Sequence, residues 1–335
     1  MPSFLTTSLI VAAAVSQPVL GSRSPFSSNS NDLAARDLVS EAKALLALKS
    51  KVTQDPYGVL SSWNVSNDVC TWGEDTISCA ANPFDGGKLA LAGINLNQAE
   101  LDGDDLNLDF LTELTDLTFF HANSNNFKGT LPSDLSGISY LYELDVSNNQ
   151  LSGPFPEGAL TAVNLTMLDL RFNNFEGPIP AEVFNMDLDV LFLNDNQFSG
   201  EVPSNIGDTP ALYLTLANNG FTGSIPASLG EAANLEEALL GGNQFNGFLP
   251  EVWTGPQNLT VLDVTGNQLI GGIPEALCEL TTLEVLNVTG NYFTQPLGTA
   301  CAKLEEAGVL DVADNCIPGL ENQKSTEVCA LIVSH

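Results

Sequence analysis

The chain has 335 residues, 44% apolar and 15% charged, and its 41 acidic against 10 basic side chains give a formal net charge of −31. That apolar content supports a large folded core and excludes a wholly disordered chain. A surface this negative excludes nucleic acid, whose binding relies on Lys and Arg displacing counterions. Cationic peptides, cationic proteins and neutral glycans are the partners it tolerates.

Residues 1–21 hold no charged side chain, carry a short apolar stretch around Leu9–Val15 and end in the small-residue cleavage site Val19-Leu20-Gly21. They read as a secretory signal peptide. Residues 22–36, rich in Ser and Asn and containing Pro25, read as a flexible leader. Leu38, Val39, Ala42, Leu45, Leu46 and Leu48 then recur at helical spacing and predict an amphipathic helix at about 37–52, inside an N-terminal cap over 37–87. No run approaches the ~20 apolar residues of a membrane span. The chain is expected to be exported to the extracellular space or a cell wall.

Six cysteines fall in two groups, Cys70 and Cys79 in front and Cys278, Cys301, Cys316 and Cys329 behind. An even count in an exported chain reads as disulfides. Local bridging joins Cys70 to Cys79. The rear four permit three pairings, of which Cys278–Cys301 with Cys316–Cys329 is favoured. The spacings and the scarcity of histidine do not suit a zinc site.

From Leu117 onward the pattern L-x-x-L-x-L-x-x-N returns at Asn125, Asn149, Asn173, Asn196, Asn219, Asn243, Asn267, Asn291 and Asn315. The intervals of 23 or 24 residues predict a leucine-rich repeat solenoid, because each unit can bury its apolar side only against its neighbours. The asparagine amides, which both donate and accept, are suited to satisfying backbone groups where each strand ends. An irregular unit with Ile94, Leu96 and Ala99 comes first, making about ten units over 88–315, with a C-terminal cap over 316–335. Seven copies of Gly-x-x-Pro follow the asparagines, from Gly129–Pro132 to Gly271–Pro274. In this they resemble the plant-type subclass of leucine-rich repeat, which implies an α/β solenoid, a right-handed superhelix with a parallel concave β-sheet and disulfide caps.

Strand alternation points the residue four before each asparagine to the concave face. That column includes His121, Asp145, Asp169, Phe192, Thr215, Leu239 and Asp263, and the column six before includes Met167, Tyr213 and Glu237. Met167, Phe172, Phe192, Tyr213 and Leu239 are expected to form an exposed apolar patch flanked by acids, a pattern of interaction surfaces. Between Gly129 and Ala302 stand 20 acidic residues and one basic residue, Arg171. Arg171 is expected to bridge Asp145 and Asp169 on adjacent strands. The candidate ligand-binding set is therefore Asp145, Met167, Asp169, Arg171, Phe172, Phe192, Tyr213, Leu239 and Asp263. A calcium site on Asp145 and Asp169 is not adopted.

The segments Phe120–Asn125 (FHANSN), Leu141–Asn149 (LYELDVSNN), Leu168–Asn173 (LDLRFN), Leu191–Asn196 (LFLNDN) and Asn315–Gly319 (NCIPG) resemble the repeat domain of leucine-rich repeat extensins of plant cell walls. Ala44–Lys49 (ALLALK), Asp55, Pro56, Trp63, Cys70 and Cys79 are similar to the N-terminal cap of plant extracellular repeats, including polygalacturonase inhibitors. The resemblance implies binding without catalysis: capture of secreted, basic, cysteine-containing signalling peptides of the rapid-alkalinization type. Tyr292–Leu297 departs from the pattern in lacking Gly-x-x-Pro.

Sequons stand at Asn64, Asn164, Asn258 and Asn287, the last on the concave column. His121 and His335 are the only histidines, and no catalytic triad can be assembled with disulfide-bound cysteines. The chain is expected to be a non-enzymatic binding protein without metal or cofactor. Its partner would be a basic secreted peptide or protein, with a wall polysaccharide as a further class. Polygalacturonase inhibition and a purely structural wall glycoprotein are the alternatives.

Overall fold

The computed structural model describes residues 38–82 and 86–333; residues 1–36, assigned above to signal peptide and leader, lie outside them. The predicted first helix is α1, Val39–Lys51, which buries Ala44, Leu45 and Leu48. Lys49 leaves that face and donates through Nζ to the carbonyls of Leu60 and Trp63 at 2.6 and 2.7 Å, anchoring α1 to the next loop. Beneath this loop Trp63 and Trp72 stack at 5.7 Å. Cys70–Cys79 joins the turn at Val69–Thr71 to the first strand.

One sheet of eleven strands follows: β1 (Ile77–Asn82), β2 (Lys88–Asn95), β3 (Phe119–His121), β4 (Glu143–Asp145), β5 (Met167–Asp169), β6 (Val190–Phe192), β7 (Tyr213–Thr215), β8 (Glu237–Leu239), β9 (Val261–Asp263), β10 (Val285–Asn287) and β11 (Leu310–Asp311). Only β1 and β2 run antiparallel; from β2 onward each strand pairs in parallel with its sequence neighbour. Sequence order equals spatial order. A column read off the repeats is therefore a physical row, as in Asp145↔Asp169↔Phe192↔Thr215↔Leu239↔Asp263.

The asparagines do what their chemistry predicts. The Asn149 side-chain amide donates to Ala122 O in the preceding turn and to Val146 O and Ser147 O in its own, at 2.9, 3.0 and 2.9 Å. Its Oδ1 accepts from Phe127 N at 3.0 Å. Asn243, Asn267 and Asn315 repeat this pattern, so the ladder links each turn to the next through buried bonds. Beside it runs a spine invisible to the leucine count: Phe175, Phe198, Phe221 and Phe245 stack at 6.1–6.4 Å with nearly parallel planes.

Beyond each asparagine the chain forms a second, short strand on the outer flank. Five such strands make one sheet, from Lys128–Gly129 to Gly220–Thr222, and three make another, Asn246–Gly247, Gln268–Gly271 and Tyr292–Phe293. The seven glycines of the Gly-x-x-Pro copies all take positive φ. The prolines Pro156, Pro180, Pro226 and Pro274, in extended backbone, directly precede one-turn helices. The C-terminal end is closed by Cys278–Cys301 and Cys316–Cys329, the favoured pairing.

Candidate ligand-binding face

The concave column four before each asparagine has a duty in the fold that its composition does not announce. The Oδ1 atoms of Asn95, Asp145, Asp169, Asp263, Asn287 and Asp311 each accept the backbone N–H two residues on, at 2.8–3.1 Å. These are Asx turns that end the strands, so part of the acidic ladder serves the backbone.

The centre of the expected patch is closed over. Phe192, expected to face water, is 0% exposed. The Arg171 guanidinium, from the turn two residues beyond β5, lies over its ring, 4.9 Å from the centroid. Arg171 is in turn held by Asp169, its Nε 2.9 Å from an Oδ2 that lacks an aligned hydrogen bond, which makes the contact one of charge. Asp169 and Asp145, expected on the solvent face, are also buried, at 0% and 7%. Nor does Arg171 bond both carboxylates as expected. Asp145 is served by Asn123 Nδ2 at 3.0 Å and by the N–H and hydroxyl of Ser147 at 3.0 and 2.7 Å. Burial first, and the neighbouring Asp145 charge second, hold the Asp169 carboxyl well above the usual carboxylate range despite Arg171.

On either side the face stays open. Met167 is half-buried, and Phe172 is 45% exposed. Phe172 also has a left-handed backbone, φ 53°, at the position before the asparagine where the other units carry Ser, Asn, Asp or Gly. On the far side Tyr213, Leu239 and Asp263 are half-buried. Two carboxylates outside the candidate set join them: Glu237, which stands in the second column, and Glu236, one residue ahead of it. The Tyr213 hydroxyl donates to Glu236 Oε2 at 3.3 Å, and Tyr213 pairs in register with Glu237. Burial and then Glu236 push the Glu237 carboxyl up, and its Oε2 is buried without a hydrogen bond. Burial and Glu236 raise the Tyr213 phenol as well. The consecutive Glu236-Glu237, at the mouth of a strand beside a tyrosine, is the signal that could have found this group.

His121 accepts or donates at Nε2 with Glu143 Oε2, 2.8 Å away, and its ring lies 5.0 Å from that of Phe119. Among the described residues no three His, Cys, Asp or Glu side chains are placed to hold a metal ion, and no helix is long and apolar enough to cross a membrane. Of the sequons, Asn164 and Asn258 are exposed. Asn64 and Asn287 are half-buried, and each spends Oδ1 on the N–H two residues on.

Two family models match this chain: "Leucine rich repeat N-terminal domain" over residues 38–74, and "Leucine Rich Repeat" over 140–159, 164–186 and 258–280. Its fold is a leucine-rich repeat solenoid. Leucine-rich repeat extensin-like protein 1 of Arabidopsis thaliana is 38% identical to it over 107 residues, 31% of this chain and 13% of that protein. The repeat protein thus spans about an eighth of the length of the first curated relatives it matches. Among solved structures, PEPR1-AtPEP1 superimposes with a TM-score of 0.69 at 28% identity, covering 83% of this chain and 42% of that one. The Arabidopsis receptor kinase HAESA, solved with the peptide hormone IDA and the co-receptor SERK1, gives 0.62 at 25% identity, covering 83% and 50%.

Proposed function

We propose that this repeat protein is an extracellular binding protein that captures a basic peptide or protein on its concave face. The observation that carries this reading is a charge imbalance. The single cation between Gly129 and Ala302 is Arg171, and it is consumed by Asp169. Glu236 and Glu237 have no basic neighbour in the chain sequence closer than Arg171 and Lys303, and Glu237 keeps a buried oxygen without a hydrogen bond. A ligand cation entering there offsets the burial and, second to it, the Glu236 charge that raise Glu237.

The ligand lies across β7–β9, with Tyr213 and Leu239 as its apolar contacts and Glu236, Glu237 and Asp263 as its charged ones. Phe172 and Met167 meet it beyond the Arg171 lid. HAESA with its peptide hormone supplies a precedent for the scaffold in that role. The signal-like residues 1–21 and the disulfide pairs support a secreted protein. Asn164 and Asn258, which are exposed, carry the glycans, while Asn287 is half-buried on the concave column.

The test is calorimetric titration with a basic, cysteine-bridged peptide of the rapid-alkalinization type at low and high salt. Affinity should fall by about tenfold or more as salt screens the pairing. It should fall comparably on replacing Glu236→Gln and Glu237→Gln together. Binding indifferent to both salt and the double replacement removes the site.

A further inference from the structure

The outer flank of the later repeats differs in character from the rest of this acidic protein. No Asp, Glu, Lys or Arg stands between Glu237 and Glu251, between Asp263 and Glu275, or between Glu284 and Lys303. The flank strands fall within these uncharged intervals. Ser224 bridges to Asn246, and Asn246 pairs in register with Gln268. All three are exposed, so a hydroxyl and two amides stand in a row at the ~4.8 Å spacing of adjacent strands. Their neighbours inward, Phe245 and Leu269, belong to the core, which fixes the row's outward direction.

Beside the row is a small cradle. Phe248 is 59% exposed, yet its ring is not adrift: a Cβ on Gly271 would come within 2.5 Å of Phe248 Cδ1. A Cβ on Gly272 would likewise lie 2.7 Å from Gln295 Oε1. The Gly271-Gly272 pair thus forms a floor without side chains, against which an aromatic ring and an amide are seated. Gly271 also needs its glycine for a φ of 86°. A seated aromatic face flanked by amides and a hydroxyl, with the Glu201 carboxylate beside Gly223 at the Ser224 end of the row, offers stacking and directional hydrogen bonds together.

We propose that this flank is a second binding surface, for a neutral polysaccharide lying across the strands with one hexose stacked on Phe248. Charge selects the class of partner. A polyanion is repelled by the net charge of −31, and a polycation is drawn to the acids of the concave face. A neutral sugar chain meets neither effect and presents the hydroxyls that Ser224, Asn246, Gln268 and Gln295 can bond.

The test is electrophoresis of the full chain through native gels containing xyloglucan, hydroxyethyl cellulose, polygalacturonate or no polymer. One of the neutral polymers should retard the protein, and the retardation should survive about 0.5 M salt, where charge pairing is screened. Phe248→Ala should weaken it by about tenfold, and Gln268→Ala by a smaller factor. Circular dichroism of Phe248→Ala should match the parent, since the ring is mostly outside the core. Glu236→Gln with Glu237→Gln should leave the retardation intact, so the concave and flank sites can fail separately. Absence of retardation in both neutral polymers, retardation by polygalacturonate alone, or retardation indifferent to Phe248→Ala overturns the proposal.

Discussion

The guanidinium of Arg171 sits 4.9 Å above the ring of Phe192, one strand away, and 2.9 Å from the buried carboxylate of Asp169. Three side chains that look like a ligand site in sequence thus satisfy one another. Removing the cation strands a fully buried carboxylate beside a second acid. Arg171→Ala should cost about 3 kcal/mol of stability, the usual loss when one partner of a buried pair is removed. Adding Asp169→Asn should restore most of it. Urea unfolding of the single and double variants checks both; a single-variant cost under about 1 kcal/mol would show that the pair is solvated.

The same carboxyl gives stability a pH dependence of definite sign. Burial and Asp145 raise Asp169 above its ordinary value, and burial and Glu236 raise Glu237. Each then binds its proton more tightly in the folded chain than in the unfolded one. The contribution is fully present below the unfolded pKa and is lost as pH rises through the folded one. The urea midpoint should therefore increase as pH is lowered from neutrality toward the ordinary carboxylate range. Asp169→Asn should flatten that slope; an unchanged slope would assign the effect to other acids.

The asparagine ladder predicts a cost that depends on burial rather than on charge. Asn243 is 7% exposed, donates to Leu216 O, Leu240 O and Gly241 O at 3.0, 3.1 and 3.3 Å, and accepts from Phe221 N at 3.1 Å. Asn243→Ala leaves these backbone groups unpaired and should cost about 3 kcal/mol. Asn243→Asp keeps the acceptor but loses the donors, so it should recover little. Thermal unfolding of both variants distinguishes loss of the donors from loss of volume.

The fold was legible because a 23- or 24-residue interval between asparagines admits few architectures, and the parallel register made every predicted column a real row. Exposure within a row was not legible. Period-two alternation states which way Phe192 points, but not that the long side chain of Arg171 reaches across from the turn after β5 to cover it. Likewise the aspartates of the column looked like free charge because their Asx bonds run to backbone N–H groups that composition does not show. Glu236 escaped because it lies one residue ahead of the two chosen columns, where only the bond from Tyr213 brings it to the face.

Phe172 separates stability from binding most sharply. The corresponding residue in the other units that carry the asparagine is Ser124, Asn148, Asp195, Asn218, Gly242, Gly266, Gly290 or Asp314, each with positive φ and most of them Gly, Asn or Asp, which tolerate it. A phenylalanine in that conformation is strained by about 1–2 kcal/mol, and at 45% exposure it regains little of this through burial. Phe172→Asn should thus raise stability by about 0.5–1 kcal/mol, since asparagine occupies the same position in two other units. If the aromatic ring is retained for contact with a ligand, the same variant should bind the basic peptide several-fold more weakly while unfolding at higher urea. A variant that is both more stable and equally tight would assign Phe172 no part in recognition, and would confine the concave site to Tyr213, Glu236, Glu237, Leu239 and Asp263.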